Sequence, residues 1–257
     1  MDAIYVPDGG RFVPGEYARG PWDPNAQHGG PVAALLAPAV ERLPTDEEMS
    51  VVRLTVEFVR PVPLVPLTVG AEVSRPGRKM QLLSASAAAD GIEVARATGV
   101  RIRTTGVPFP EGFREREDAL PPPQAVPEMP RGEPDALHFW WAMDVRSQTQ
   151  ERRMGPATVW MRLRSPLVAG EEPSPLMRVA AAADFGNGVS AELDWGSYVF
   201  LNTDLTISLH RPPEGDWVGL DAASWVRPTG VGVTECALYD ERGRIGRSLQ
   251  SLFIDRR

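Results

Sequence analysis

Apolar and polar residues alternate along this chain in blocks whose period switches between two and nearly four. From Ser50 the period is two: Leu54, Val56 and Phe58 alternate with Arg53, Thr55 and Glu57, the pattern of a half-buried strand. Arg60-Pro61-Val62-Pro63 turns the chain, Leu67 to Ser74 reads as a second strand, and Arg75-Pro76-Gly77 leads into a third from Met80 to Ala89. Asp90-Gly91 closes a hairpin onto Ile92 to Arg103. Near the start, Ile4-Tyr5-Val6 and Arg11-Phe12-Val13 flank Asp8-Gly9-Gly10 and predict a strand pair. Between these blocks Leu35, Leu36, Ala39 and Val40 fall on one stripe of a helix from Pro31 to Leu43. Pro38 within it removes a hydrogen bond, at a cost of about 3 kcal/mol, and predicts a kink or an early end. This part of the chain reads as hairpin, helix and four-stranded antiparallel meander.

Between Thr104 and Asp135 eight prolines deny the chain both helix and ladder hydrogen bonds, which predicts a stiff, extended connector. Beyond it the first pattern returns. Leu209-His210-Arg211-Pro212 echoes Phe58-Val59-Arg60-Pro61 at an offset of 211 − 60 = 151, and Arg227-Pro228 echoes Arg75-Pro76 at 227 − 75 = 152. The turn at Asp240-Glu241-Arg242-Gly243 answers Asp90-Gly91, and Leu205, Ile207 and Leu209 answer Leu54, Val56 and Phe58. Ser174 to Asp184 matches the helix, while His138 to Met143 with Ala157 to Leu163 match the opening strands. Matches in the same order at nearly constant spacing point to an internal duplication. The expected division is a first domain over 1–105, a Pro-rich linker over 106–135 and a second domain over 136–257. In fold class this is α+β, with an antiparallel sheet and one small-residue helix in each half.

A hydrophobic content of 42% is ordinary for a globular chain of this size. The net charge of −7, with no basic run, argues against a nucleic-acid surface. No cationic start followed by an apolar run and no stretch of about 18 apolar residues is present, so a cytoplasmic protein without a membrane span is expected. Cys236, the one cysteine, sits in a strand-like run and reads as a buried structural thiol rather than a nucleophile. His28, His138 and His210 are widely separated, no His/Cys/carboxylate cluster has metal-ligand spacing, and no metal or organic cofactor is expected.

The candidate chemistry begins at Gln27-His28-Gly29-Gly30-Pro31. Proline suits the first helical turn and the glycines leave the backbone bare, so free N–H groups and the positive end of a helix dipole point outward. A carbonyl oxygen gaining negative charge would be stabilised there. The same residues also serve as a tight lead into a buried helix. His28 is either a general base or a structural donor at that turn.

On Gly20-Pro21-Trp22 with His28-Gly29-Gly30-Pro31, the helix ending at Asp184, the stretch Asn202-Thr203-Asp204-Leu205-Thr206-Ile207-Ser208-Leu209-His210-Arg211-Pro212 and the late Ser248-Leu249-Gln250, the chain resembles the acyl-CoA thioesterase II group. That resemblance implies a tandem double hotdog, hydrolysis of acyl-coenzyme A thioesters, and an Asp, a Gln and a hydroxyl residue of the second half holding the attacking water. Asp184 and Gln250 match the first two. The hydroxyl position falls on Asn202, with Thr203 beside it on the opposite face of a strand. Without the resemblance, Asp184 before Phe185-Gly186-Asn187-Gly188 also reads as a helix stop, and Gln250 as an exposed strand residue.

A carboxylate can accept the proton of an attacking water, and amide side chains can orient that water without titrating. Asp184, Gln250 and Asn202 are thus the candidate catalytic residues, with His28, Gly29, Gly30 and Thr203 as substrate-binding residues. The oxyanion donor would come from Gly29 or Gly30, or from the second helix near Ser174. Six tryptophans (Trp140, Trp141, Trp160, Trp195, Trp217, Trp225) read as core and interface filler, some of them lining an acyl tunnel. The expected partner is a small-molecule acyl-CoA, with pairing of two double hotdogs a further possibility. Two other readings are a hotdog hydratase or dehydratase using an Asp184/His28 pair, and a non-catalytic acyl-thioester binder with Asn at the hydroxyl position.

Overall fold

A computed structural model describes residues 2–149 and 153–257. Strands β1 (Tyr5–Asp8) and β2 (Arg11–Pro14) form the opening hairpin, followed by helix α1 (Gly29–Glu41). The helix starts two residues earlier than its apolar stripe suggests because His28, in extended conformation, caps it. It also runs through Pro38, where a kink or stop was expected. The Pro38 ring leaves one carbonyl of the preceding turn without its donor, but Arg42 N–H still closes on Pro38 C=O at 3.0 Å. Leu35, Leu36, Ala37 and Val40 are buried and hold the last turn in place, so packing outweighs the local cost.

Strands β3 (Met49–Phe58), β4 (Leu67–Arg75), β5 (Met80–Ala89) and β6 (Ile92–Arg103) follow. They are not a sequential meander: the order is β1-β2-β4-β5-β6-β3, with β3 beyond β6. The helix carries the chain from β2 across the sheet to its far edge, and local alternation holds no record of that transfer. The displaced β3 then offers its free edge to the second half. Strand β10 (Asp204–Leu209) pairs with it, setting Leu205 opposite Val56 and Ile207 opposite Leu54, all fully buried. Thr206 Oγ1 donates to Thr55 Oγ1 at 3.2 Å on the other face.

The remaining strands are β7 (Met143–Ser147), β8 (Ala157–Leu163), β9 (Tyr198–Asn202), β11 (Val218–Val226), β12 (Val231–Asp240) and β13 (Gly243–Arg256). One sheet path results, β1-β2-β4-β5-β6-β3-β10-β13-β12-β11-β8-β7, with β9 beside β13. At its β1 end the Ile4 and Tyr5 N–H groups bond to Pro166 and Leu167 carbonyls, so that edge is tied to the second half. His138 to Met143 is not a strand. Phe139–Ala142 forms a short 3-10 turn before β7, because consecutive bulky apolar residues have no polar face to present. The expected single strand through Asn202 to Pro212 breaks at Thr203 into β9 and β10.

Residues 106–135 form no strand and are not extended throughout, since Pro123–Ala125 closes a 3-10 turn; from Asp118 onward they lie against the second half. Met129 N–H bonds to Val145 C=O, and Trp160 Nε1 donates to Pro121 C=O. Helix α2 (Pro175–Ala183), capped by Ser174, packs along α1, and the short α3 (Gly186–Val189) follows it. Cys236 is buried, and burial pushes its thiol up to about 12, as befits a packing residue.

The His-Arg-Pro turn is held by Arg211, whose Nη2 meets Asp240 Oδ1 at 2.6 Å, while the Glu214 and Arg242 N–H groups bond the same carboxylate at 2.9 Å. Burial alone would push the Asp240 carboxyl up, but Arg211 and these N–H groups hold it below the usual range. Replacing Arg211 by Met is expected to destabilise by about 3 kcal/mol, since it strands a buried carboxylate. The depressed native pKa means the interaction contributes above the unfolded carboxyl pKa, about 3.9, and is lost on further acidification. Thermal melts from pH 7 down to pH 3 should therefore bring wild type and Arg211→Met closer together.

Candidate active site

Helices α1 and α2 lie side by side with opposite directions, which brings the N-terminus of α1 against the C-terminus of α2. Asp184 caps α2 there and is 1% exposed. His28 Nδ1 lies 2.8 Å from Asp184 Oδ2, and Asn202 Nδ2, at the end of β9, donates to Oδ1 at 2.7 Å. The residues Asp184, Asn202 and His28 thus meet at one carboxylate. Phe139 and Phe185, stacked on each other at 5.1 Å, pack against the imidazole with ring centroids 5.2 and 4.8 Å from it.

Gln250 stands behind this group, and at 1% exposure it is not the exposed strand residue of the alternative reading. Its Nε2 donates to the Asp184 backbone carbonyl at 3.1 Å and its Oε1 accepts from Asn187 N–H at 3.0 Å, so both ends of the amide are committed to the break between α2 and α3. Thr203 is on the opposite face from Asn202, its hydroxyl beside Asp204 and the Ser251 carbonyl at 3.4 Å, and it reaches the cavity only at the rim. The carbonyl of Thr203 accepts from Phe58 N–H at 3.0 Å, which ties the site to the first half.

Gly29 is fitted to the carboxylate. A Cβ there would come within 2.7 Å of Phe58 Cζ and 2.9 Å of both Asp184 oxygens. Among the described residues nothing accepts from the Gly29 N–H, and Gly29 is part of the cavity wall. Gly30 is buried away from that wall, where a Cβ would strike Phe139 at 2.6 Å. The second helix is no source of oxyanion donors at this site. Its N-terminus is a helix length away, about 13 Å at 1.5 Å per residue, and is met there by the Glu41 carboxylate, which Ser174 Oγ contacts. Burial raises that Glu41 carboxyl, while Ser174, Arg42 and the Leu176 N–H oppose the rise.

Above the group opens a cavity of about 520 Å³ with aromatic walls from Trp22, Phe58, Trp140, Phe185, Trp195 and Phe253. Trp22 stacks on Trp195 at 4.8 Å, and Phe200 meets both edge-on. The tryptophans divide: Trp140 and Trp195 face the cavity, Trp160 and Trp217 share a separate buried cluster, and Trp225 is 55% exposed on the outer face rather than filling core. The chain pattern missed Asn187, which orients Gln250, because Phe185-Gly186-Asn187-Gly188 carries no signal beyond a helix stop. Among the described residues no three His, Cys, Asp or Glu side chains gather as a metal site, and no helix is long and apolar enough to cross a membrane.

Residues 18–102 match the family model of the acyl-CoA thioesterase N-terminal domain, and residues 115–254 that of the C-terminal domain. The chain belongs to the acyl-CoA thioesterase family. It is a thioesterase with the hotdog fold, and the family acts on acyl-CoA. A hot dog fold protein from Alicyclobacillus acidocaldarius superposes with a TM-score of 0.71 at 21% identity, over 96% of this chain and 94% of that one. The acyl-CoA thioesterase II TesB2 of Mycobacterium marinum gives 0.63 at 17% identity, over 90% of each chain. The tesB protein of Mycobacterium avium subs paratuberculosis gives 0.65 at 16%, over 95% and 92%. At these identities the likeness is one of fold. No curated protein matches the chain.

Proposed function

We propose that the protein hydrolyses acyl-CoA thioesters by direct attack of water at the floor of the aromatic cavity. The observation that carries this reading is the Asp184 carboxylate, bonded to Asn202 and His28 beneath the unpartnered Gly29 N–H. The acyl carbonyl would rest against Gly29, whose N–H and helix dipole receive the oxyanion. Asp184 supplies the negative charge that favours proton removal from the water. Asn202 sets the angle of that carboxylate, and Gln250 fixes it from behind through the backbone. Gly30 and His28 shape the approach to the carbonyl, and Thr203 borders the entrance. The aromatic walls suit an acyl group and the thin pantetheine arm better than a polar ligand.

Release of free thiol from acyl-CoAs of graded chain length tests this directly. Turnover of at least one chain-length class is expected; no thiol from any of them would defeat the reading. The contact of His28 with Asp184 also meets the condition for a hydratase or dehydratase acting on acyl thioesters. That activity would consume an enoyl-CoA, seen as loss of its conjugated absorbance, with no thiol released.

A further inference from the structure

We infer that the Nε2 atom of His28 is the group that takes the proton from the attacking water, with Asp184 as the residue that positions it. The inference rests on the hydrolytic reading above and assigns the proton to one atom within it.

Access to the carboxylate is the first argument. Both Asp184 oxygens already have partners, Asn202 Nδ2 at 2.7 Å and His28 Nδ1 at 2.8 Å. Gly29 leaves no room for a side chain beside them, since a Cβ would stand 2.9 Å from each. Asp184 borders the cavity, but it does so with each oxygen already engaged, so a water placed there competes with those two contacts.

The second argument is the imidazole tautomer. Two groups approach Nδ1: the Gly30 N–H, at 3.1 Å, and the Asp184 carboxylate. Accepting from Gly30 would turn a lone pair of Nδ1 against a charged oxygen at hydrogen-bond distance. An ionised Asp184 selects the other form, with the hydrogen on Nδ1 donated to Oδ2. That choice leaves Nε2 with a lone pair. His28 is on the cavity wall with its side chain 14% exposed, and among the described residues nothing bonds to its Nε2. The stacked Phe139 and Phe185 rings packed against the imidazole offer it no hydrogen bond.

Chemically the step closes. The water oxygen bonds to the acyl carbon, its proton goes to Nε2, and the carbonyl π pair moves onto the oxygen beside Gly29 N–H. Collapse of the tetrahedral intermediate breaks the C–S bond, and Nε2 returns the proton to the departing sulfur. Carboxylic acid and thiol are the products, and Asp184 stays ionised throughout. An imidazole suits this exchange near neutrality because it both accepts and returns a proton there. The other charged or titratable groups around the cavity are Asp23 from the loop before α1, Arg60 after β3 and His138 ahead of the 3-10 turn.

His28→Asn is the informative variant, since Asn is among the best helix caps and stands at the N-cap position without a titratable ring. The expected result is a fall in kcat of about a hundredfold or more, KM changed severalfold at most, and loss of the acidic limb from the pH profile of kcat/KM. Added imidazole should restore part of the rate in His28→Gly, which also keeps a permissive cap. Wild-type kcat with an unchanged pH profile in His28→Asn would overturn the inference, as would a slow variant that keeps the acidic limb and gains nothing from imidazole in the His28→Gly background. If wild type releases no thiol from any acyl-CoA, the hydrolytic reading fails and takes the inference with it. Those outcomes separate the two failures.

Discussion

Asp184→Asn should lower kcat by about a hundred- to ten-thousandfold while leaving the protein at least as resistant to heat as wild type. The two effects diverge because the carboxylate is expensive where it sits. It is 1% exposed, so folding strips it of water, and its contacts with Asn202 Nδ2 and His28 Nδ1 offset only part of that cost. An amide of the same shape can keep the contact to Asn202 or to His28 and carries no charge to desolvate. What it cannot do is hold the imidazole hydrogen on Nδ1 or stabilise an imidazolium as a proton arrives. Thiol release and a thermal melt on the same preparation check both halves. A variant that lost stability in step with activity would mark Asp184 as a structural cap, the helix-stop reading of its position.

Gly29→Ala should be the second severe loss, with kcat/KM down by about a hundredfold or more. One methyl group at this position meets Phe58 at 2.7 Å and both Asp184 oxygens at 2.9 Å. Backbone conformation is no obstacle, because Gly29 is helical, so the whole effect is one of space. Either the carboxylate withdraws or the first turn of α1 lifts, and each disturbs the N–H that is to meet the oxyanion. Removal of one such donor is worth about 3 kcal/mol in other acyl-transfer enzymes. Overpacking adds about 1–3 kcal/mol of destabilisation, which a melt will register. Activity near wild type would mean that Gly29 N–H does not face the reacting carbonyl.

Much of the architecture was written in local pattern. Leu54 and Val56 alternate with polar neighbours because one face of β3 is buried, and Leu205 and Ile207 repeat the pattern for the same reason. The site helix was legible from His28-Gly29-Gly30-Pro31, where cap, bare backbone and proline each favour a first turn. Order within the sheet was not, since the place of β3 depends on where α1 delivers the chain. Pro38 misled because a helix buried on nearly all sides draws its stability from packing, which a propensity does not contain. The meeting of Asp184 with Asn202 followed from the family resemblance. Its meeting with His28 needed the opposed directions of α1 and α2, which no spacing in the sequence records. The direction of Gln250 was equally hidden: alternation can bury an amide, but only α3 shows that its partners are the backbone of Asp184 and Asn187.

Joining two related halves in one chain, with β3 paired to β10, has a consequence for how such a molecule can change over generations. In a symmetric pair of identical subunits every substitution appears twice, at both ends of the helix pair. Here the ends mutate separately. His28 facing Asp184 at one end and Ser174 facing Glu41 at the other occupy corresponding places with different chemistry. Selection could therefore refine one end for turnover while the other drifted toward adhesion between the helices. Titration of active centres with a tight thioester analogue should accordingly count one per polypeptide, where an undivided ancestral pair would have counted two per assembly of the same size.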